Sequence, residues 1–233
     1  MRTVAILQAR MGSTRLPGKV LLPLAGRPMV QHIIERVNRA TTLDDMVLAI
    51  PGENADTPLR CLPCPAFCVR DIPEDDLIAR YVACARTYKA EVIVRIACDN
   101  PCIDPAFIDE AVRQYRQFPF AFYSNTTAYV QGVAVDGIGV EVLSMSRLRW
   151  LEEKTRGVPE FREHPHKYFE AAGLLALPKA DLRLDVNTPD DYDFLTSIYD
   201  YFGHNRFTTE EALSCPAVQA RNRNAAKNNV GGV

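Results

Sequence analysis

The chain has 233 residues, 47% of them hydrophobic, and a formal net charge of −2. That length and apolar content suit one domain with a substantial buried core, or one domain with an appendage. The near-neutral balance argues against nucleic acid as the main partner, and no apolar run approaches the ~20 residues of a membrane-spanning helix.

Met1-Arg2-Thr3 leads into a short apolar run with no cleavage signal, so the expectation is a soluble, cytoplasmic protein. Thr3–Gln8 is apolar enough to be a buried parallel strand. It opens into Ala9-Arg10-Met11-Gly12-Ser13-Thr14-Arg15-Leu16-Pro17-Gly18-Lys19, a loop with two glycines and three cations. Glycine lets backbone N–H groups converge on an anion while Arg and Lys neutralise it from the sides. This is not the common P-loop: five residues separate Gly12 from Gly18, and Val20 rather than Ser or Thr follows Lys19.

Pro28–Ala40 places Met29, Ile33, Ile34 and Val37 on one helical face. A strand over Met46–Ile50 follows, then a short one over Ala66–Val69. Cys61, Cys64 and Cys68 hint at zinc, but a fourth ligand is missing nearby, and ordinary thiols are the better reading. An odd total of seven cysteines argues against a disulfide framework. Helical periodicity over Glu74–Tyr88 leads to a strand over Glu91–Ile96, with Asp99 just beyond its end. Cys98 and Cys102 read as small buried hydrophobes. A helix over Pro105–Gln117 precedes strands over Phe120–Ser124, Gly139–Val142 and Leu182–Val186, with an Asp136-Gly137 turn among them. Thr188-Pro189-Asp190-Asp191 starts a helix running to about Tyr201, and Thr208–Leu213 forms a shorter one.

Alternating strands and helices predict an α/β three-layer sandwich around a mostly parallel, Rossmann-like sheet, with ligands beyond the carboxyl ends of the strands. The Arg10–Lys19 loop and Asp99 therefore share one edge. Residues 1–215 form the expected domain, and apolar periodicity vanishes from Pro216, predicting a disordered tail over 216–233.

Gln8-Ala9-Arg10-x-Gly12-Ser13-x-Arg15-Leu16-Pro17-Gly18-Lys19 resembles the signature of the cytidylyltransferases that activate acidic sugars, including the 3-deoxy-manno-octulosonate and acylneuraminate enzymes. It is most similar to the branch named after a spore-coat polysaccharide protein. The resemblance continues through Arg95-Ile96-x-x-Asp99-x-Pro101, Ser124-Asn125-Thr126, Asp136-Gly137-x-x-Val140-Glu141-Val142, Arg162-Glu163-His164 and Thr188-Pro189-Asp190-Asp191, covering roughly residues 1 to 200. It implies a nucleotidyltransferase sheet and transfer of CMP from CTP to a sugar hydroxyl, with loss of pyrophosphate, for surface polysaccharide or glycoconjugate synthesis. It also implies a homodimer in which the Gly139–Ala172 segment crosses to the partner.

On this resemblance Arg10 and Lys19 contact the triphosphate, Gly12 and Ser13 donate backbone N–H groups, and Arg15 either binds phosphate or holds the loop shut. Leu7 and Ala9 offer backbone contacts to the base. Asp99 is the expected Mg2+ ligand, its rival role being to satisfy turn amides before Pro101. The second metal carboxylate departs from the family's pattern, since Asp185-Val186-Asn187-Thr188-Pro189 carries Asn187 where an acid is usual. Asp185 shares that side of the strand and is the candidate substitute. Asn125, Asp136, Glu141, Arg162 and His164 are candidates for the acceptor half, with Arg162 able to take a carboxylate bidentately. The alternatives are a nucleotide-binding homologue without catalysis, a sugar-phosphate nucleotidyltransferase using UTP or GTP, and a glycosyltransferase. The last is disfavoured because Asp99-Asn100-Pro101 lacks a second acid.

Overall fold

The computed structural model describes residues 1–222 apart from 53, 70 and 119–121. Among these the central sheet has six strands in the order β5-β4-β1-β6-β10-β7. They are β1 (Thr3–Gln8), β4 (Asp45–Pro51), β5 (Ala66–Val69), β6 (Val92–Ala97), β7 (Tyr123–Ser124) and β10 (Glu141–Ser144). The pairs β4–β5, β1–β4 and β1–β6 are parallel, whereas β10 runs antiparallel to both β6 and β7. Pattern alone placed the buried strands because each is a nearly unbroken apolar run: in β1, Val4, Ala5, Ile6 and Leu7 are all 0% exposed.

Period-two alternation divides each strand between two helical layers. Ala5, Leu7, Val94, Ile96 and Val142 pack against α1 (Met29–Val37), α3 (Pro105–Gln117) and α7 (Pro189–Phe202). Val4, Ile6, Ile93 and Leu143 pack against α2 (Leu77–Thr87), α4 (Met145–Lys154) and Phe169 of α6 (Pro165–Ala171). The three-layer α/β sandwich expected from the sequence is the fold observed.

Several elements were not anticipated. A two-stranded hairpin, β2 (Pro23–Leu24) with β3 (Arg27–Pro28), carries the chain from the glycine-rich loop into α1. A small sheet sets β8 (Thr127–Val130) and β9 (Val133–Asp136), neither of them anticipated, beside β11 (Leu182–Arg183), the start of the strand expected over Leu182–Val186. The helices α4, α6 and the one-turn α5 (Pro159–Glu163) fill the stretch between β10 and β11. Very short strands and helices carry little periodicity, so tertiary packing decides them.

Between β10 and β11, Phe169 stacks on Phe122 with ring centroids 4.2 Å apart, and Arg162 of α5 pairs with Asp76 at 2.6 Å. The short helix α8 (Thr209–Ser214) begins with a capping box formed by Thr208 and Glu211. Residues 216–222, expected to begin a disordered tail, are helical. Val218 there is fully buried, and Arg221 lies over the Phe194 ring at 4.2 Å. Residues 223–233, also assigned to a tail, lie outside the described residues. No helix among the described residues is long and apolar enough to cross a membrane.

Candidate active site

At the carboxyl edge of β1 and β6 lies a cleft of about 680 Å³, walled by the glycine-rich loop, the loop after β6, β10, the α5–α6 corner and the β11–α7 connection. The loop after β6 is clamped from below. The fully buried Arg36 of α1 donates to the carbonyls of Cys102 and Ile103, and Tyr199 of α7 donates to Pro101 O at 2.6 Å. Asp104 caps α3 by accepting from Ala106 N and also accepts from Thr209 N and Oγ1. Asp99 is thus presented on a rigid shelf. Its carbonyl also takes the Val186 amide at 2.8 Å.

Lys19 enters from the opposite wall. Gly18 adopts φ +68°, a conformation that disfavours any side chain, and this turns the chain into a short 3-10 segment that begins at Lys19. Lys19 Nζ donates to Asp99 Oδ2 at 2.8 Å, to Val186 O at 2.7 Å and to Asn187 Oδ1 at 3.4 Å. Arg15 Nη2 donates to the same Asn187 oxygen at 2.7 Å. The cationic loop is tied across the cleft to residues 80 and 168 positions away. Ser13 lines the cleft, and its Oγ accepts from Leu16 N at 3.3 Å. Arg10 faces the cleft between two carboxylates, Glu163 at 3.2 Å and Glu74 at 3.6 Å. Leu7 and Ala9 are buried behind this wall, and Gly12 is exposed but does not line the cleft. Ala9 N donates to Ala49 O at 3.3 Å, and Gly12 backs onto Glu74.

The β11–α7 side is polar and interlocked. Arg183 grips Asp185 through two nitrogens at 3.0 and 2.6 Å, and Asn187 Nδ2 donates to Asp185 Oδ2. Asp185 is therefore already engaged, and the Asp99 carboxylate and Asn187 carbonyl are the side-chain oxygens that the Lys19 ammonium reaches. Asp136 accepts from Thr127 Oγ1 at 2.9 Å; burial pushes its carboxyl up and the nearby Asp185 charge adds to that.

On the cleft's floor Arg95 and Glu141 stand opposite each other in the β6–β10 register and form a buried ion pair. Burial alone would raise the Glu141 carboxyl, but the Arg95 guanidinium and a hydrogen bond from His166 outweigh it and hold it at about 2. His166 Nδ1 lies 3.3 Å from Glu141 Oε1. His164 also lines the cleft, its ring centroid 5.9 Å from that of His166, and burial pushes its pKa down.

Two sequence candidates are corrected. The Asn125 side chain is committed to backbone, donating to Phe107 O at 2.8 Å and accepting from Val140 N at 2.8 Å. It shapes the β10 approach, where a Cβ on Gly139 would meet Asn125 O at 2.0 Å. Arg162 holds Asp76, the N-cap of α2, through Nε at 2.9 Å and Nη2 at 2.6 Å, and reaches Glu152 O at 2.9 Å. Its fork is filled by a carboxylate of its own chain. Neither side chain lines the cleft. Sequence reasoning missed Arg95, Thr127, His166 and Arg183, which do line it. Arg95 alone carried a signal, a charge inside a strand otherwise apolar.

Burial pushes the thiols of Cys98 and Cys102 up, the latter to about 12, so both stay protonated and unreactive. Among the described residues no three His, Cys, Asp or Glu side chains gather as a metal-holding group.

A mostly parallel sheet whose first strand opens into a cationic glycine-rich loop, facing a carboxylate across the strand ends, defines an α/β nucleotidyltransferase. A cytidylyltransferase family model matches residues 4–201. The chain belongs to the cytidylyltransferase family. It is 29% identical over 216 residues to the spore coat polysaccharide biosynthesis protein SpsF of Bacillus subtilis, covering 85% of this chain and 86% of that one. It is 37% identical over 121 residues to the 3-deoxy-manno-octulosonate cytidylyltransferase of Geobacter sulfurreducens, which is 51% of this chain and 47% of that relative. A solved cytidylyltransferase from Leptospira borgpetersenii has a TM-score of 0.80 at 28% identity over 98% of both chains.

Proposed function

We propose that this protein transfers CMP from CTP to a hydroxyl of an acidic sugar, or a related anionic acceptor, and releases pyrophosphate. The acceptor oxygen bonds to the α-phosphorus, the bond from that phosphorus to the bridging oxygen breaks, and the hydroxyl proton leaves. The relation to SpsF supports a role in surface polysaccharide or glycoconjugate synthesis. The observation that carries the reading is the Lys19 ammonium 2.8 Å from Asp99 in a cleft rimmed by Arg10 and Arg15. Developing charge on transferring phosphoryl groups needs such fixed cations.

Mg2+ is the expected cofactor. It takes hard oxygen ligands and is commonly held by one or two carboxylates plus substrate phosphates. Asp99 and the Asn187 carbonyl fit that need as a sparse protein share, with Asp185 within reach through Asn187. When bound, the ion would neutralise phosphate charge. Arg10 and Lys19 would orient the triphosphate, and Asp136, Glu141 and His164 would face the acceptor.

The test is a panel of nucleoside triphosphates with 3-deoxy-2-keto sugar acids, hexose derivatives and phosphonates, read by pyrophosphate release and product mass. CTP should be the preferred donor and a CMP-sugar the product; preference for UTP or GTP would redirect the reading to sugar phosphates. Asn187 motivates one rival, a CTP-binding protein without chemistry. It predicts thermal stabilisation by CTP with no pyrophosphate from any acceptor.

The family resemblance extends this reading to a homodimer, which light scattering would detect as twice the chain mass. A cytoplasmic location completes the reading, and fractionation of the host cell tests it.

A further inference from the structure

The motif-bearing residues assigned to the nucleotide offer no free acceptor for the departing hydroxyl proton. Lys19 and the arginines are cations, and Asp99 is held by Lys19. One titratable group on the cleft wall belongs to none of the sequence motifs and is built for that task. His166 occupies the first turn of α6, three residues before Phe169 and hence on the same helical face. Phe169 is 1% exposed and stacked on Phe122, so that face is anchored and His166 is held over β10.

There its Nδ1 meets Glu141, whose other carboxylate oxygen is pinned by Arg95. A carboxylate accepts only, so the neutral imidazole carries its proton on Nδ1 and its lone pair on Nε2. No partner for Nε2 is found among the described residues, and the side chain remains 29% exposed, on the cleft wall. A buried anion that fixes one ring nitrogen orients the base and stabilises the imidazolium formed when the other nitrogen takes a proton. Among the described residues no carboxylate is bound to the ring of His164, its neighbour on the same wall.

We propose that His166 is the general base of the transfer and that Glu141 is its positioning residue. This inference rests on the transferase reading above. Nε2 removes the proton from the acceptor hydroxyl as its oxygen bonds to the α-phosphorus and pyrophosphate departs, and the imidazolium then returns the proton to solvent. The charged and titratable groups around His166 are Glu141 from β10, Arg95 from β6, Glu163 from α5, His164 at the corner, and Lys167 and Glu170 on α6.

The test compares the wild type with His166→Gln, His166→Gly and Glu141→Asp, using CTP and whichever acceptor the panel identifies. His166→Gln should lower kcat roughly 10²–10³-fold while calorimetry shows CTP affinity unchanged within about twofold. The wild-type kcat should rise with pH along an acid limb that His166→Gln lacks, and added imidazole should restore turnover to His166→Gly. Glu141→Asp keeps a charge for Arg95 but draws it back from the ring. It should move the acid limb to lower pH, a shift that a merely structural role would not produce.

A His166→Gln enzyme within about threefold of wild type with the same limb, or one that has lost CTP binding, overturns the assignment and leaves the transferase reading intact. Absence of turnover by the wild type with every acceptor overturns both. Should His166→Gln unfold, the wild-type limb against that of Glu141→Asp decides, and coincident limbs refute the dyad.

Discussion

The Lys19 ammonium and the Asp99 carboxylate meet at 2.8 Å across the cleft, joining the loop after β1 to the loop after β6. Both side chains are largely shielded, at 13% and 28% exposure, so this pair is stronger than an ordinary surface bridge. It holds the cationic loop against the shelf built by Arg36 and Tyr199.

Replacing Lys19 with Ala removes that tie and the loop's innermost cation. A hydrogen bond to a charged group contributes about 1.5–3 kcal/mol, so CTP affinity should fall on the order of 10–100-fold. Titration calorimetry checks this; unchanged affinity would remove Lys19 from the triphosphate site.

Asn187→Asp would set a carboxylate against Asp185, which now accepts from the Asn187 amide. Arg15, Lys19 and Arg183 offset part of the repulsion, and a loss of roughly 1–2 kcal/mol is expected in metal-free buffer. A divalent cation should restore the melting temperature of this variant more than that of the wild type. Equal responses would place the metal away from this position.

Arg162→Ala separates a structural from an acceptor-binding arginine. Losing the bidentate contact to Asp76 should cost about 1–3 kcal/mol in denaturant unfolding. The acceptor KM should stay within about twofold of wild type. A large rise in KM at unchanged stability would return Arg162 to the acceptor pocket.

Glu141 makes stability depend on acid. Its folded carboxyl titrates at about 2 against an ordinary 4.5, so between those values the unfolded chain binds more protons. The stabilisation, about 3 kcal/mol, is present above pH 4.5 and drains away as pH falls toward 2. Glu141→Gln strands the buried Arg95 charge and should lose about 3–5 kcal/mol at neutral pH. The gap to wild type should narrow through the same acid window in denaturation curves; a constant gap would contradict the ion pair.

Gly139→Ala tests the β10 approach. The added methyl would overlap Asn125 O, a backbone atom that cannot swing aside, so a loss of about 1–3 kcal/mol is expected. A melting temperature equal to wild type would show that this backbone yields.

The sheet and the cationic wall of the cleft were legible along the chain because their signals are local. Apolar runs mark β1, β4 and β6, the glycines and cations sit in one loop, and the rule for parallel sheets carries Asp99 to the same edge. The acceptor half was not legible, because its side chains compete for partners that only folding supplies. Arg162 could serve a sugar carboxylate or Asp76, and packing of α5 on α2 chose Asp76. Asn125 could face a ligand or the backbone, and the close passage of Gly139 chose the backbone. His166 gained its carboxylate only when Phe169 anchored α6 above β10. Local chemistry along the chain determined which groups this protein possesses; long-range contacts between segments far apart in sequence decided which of them remain free to act.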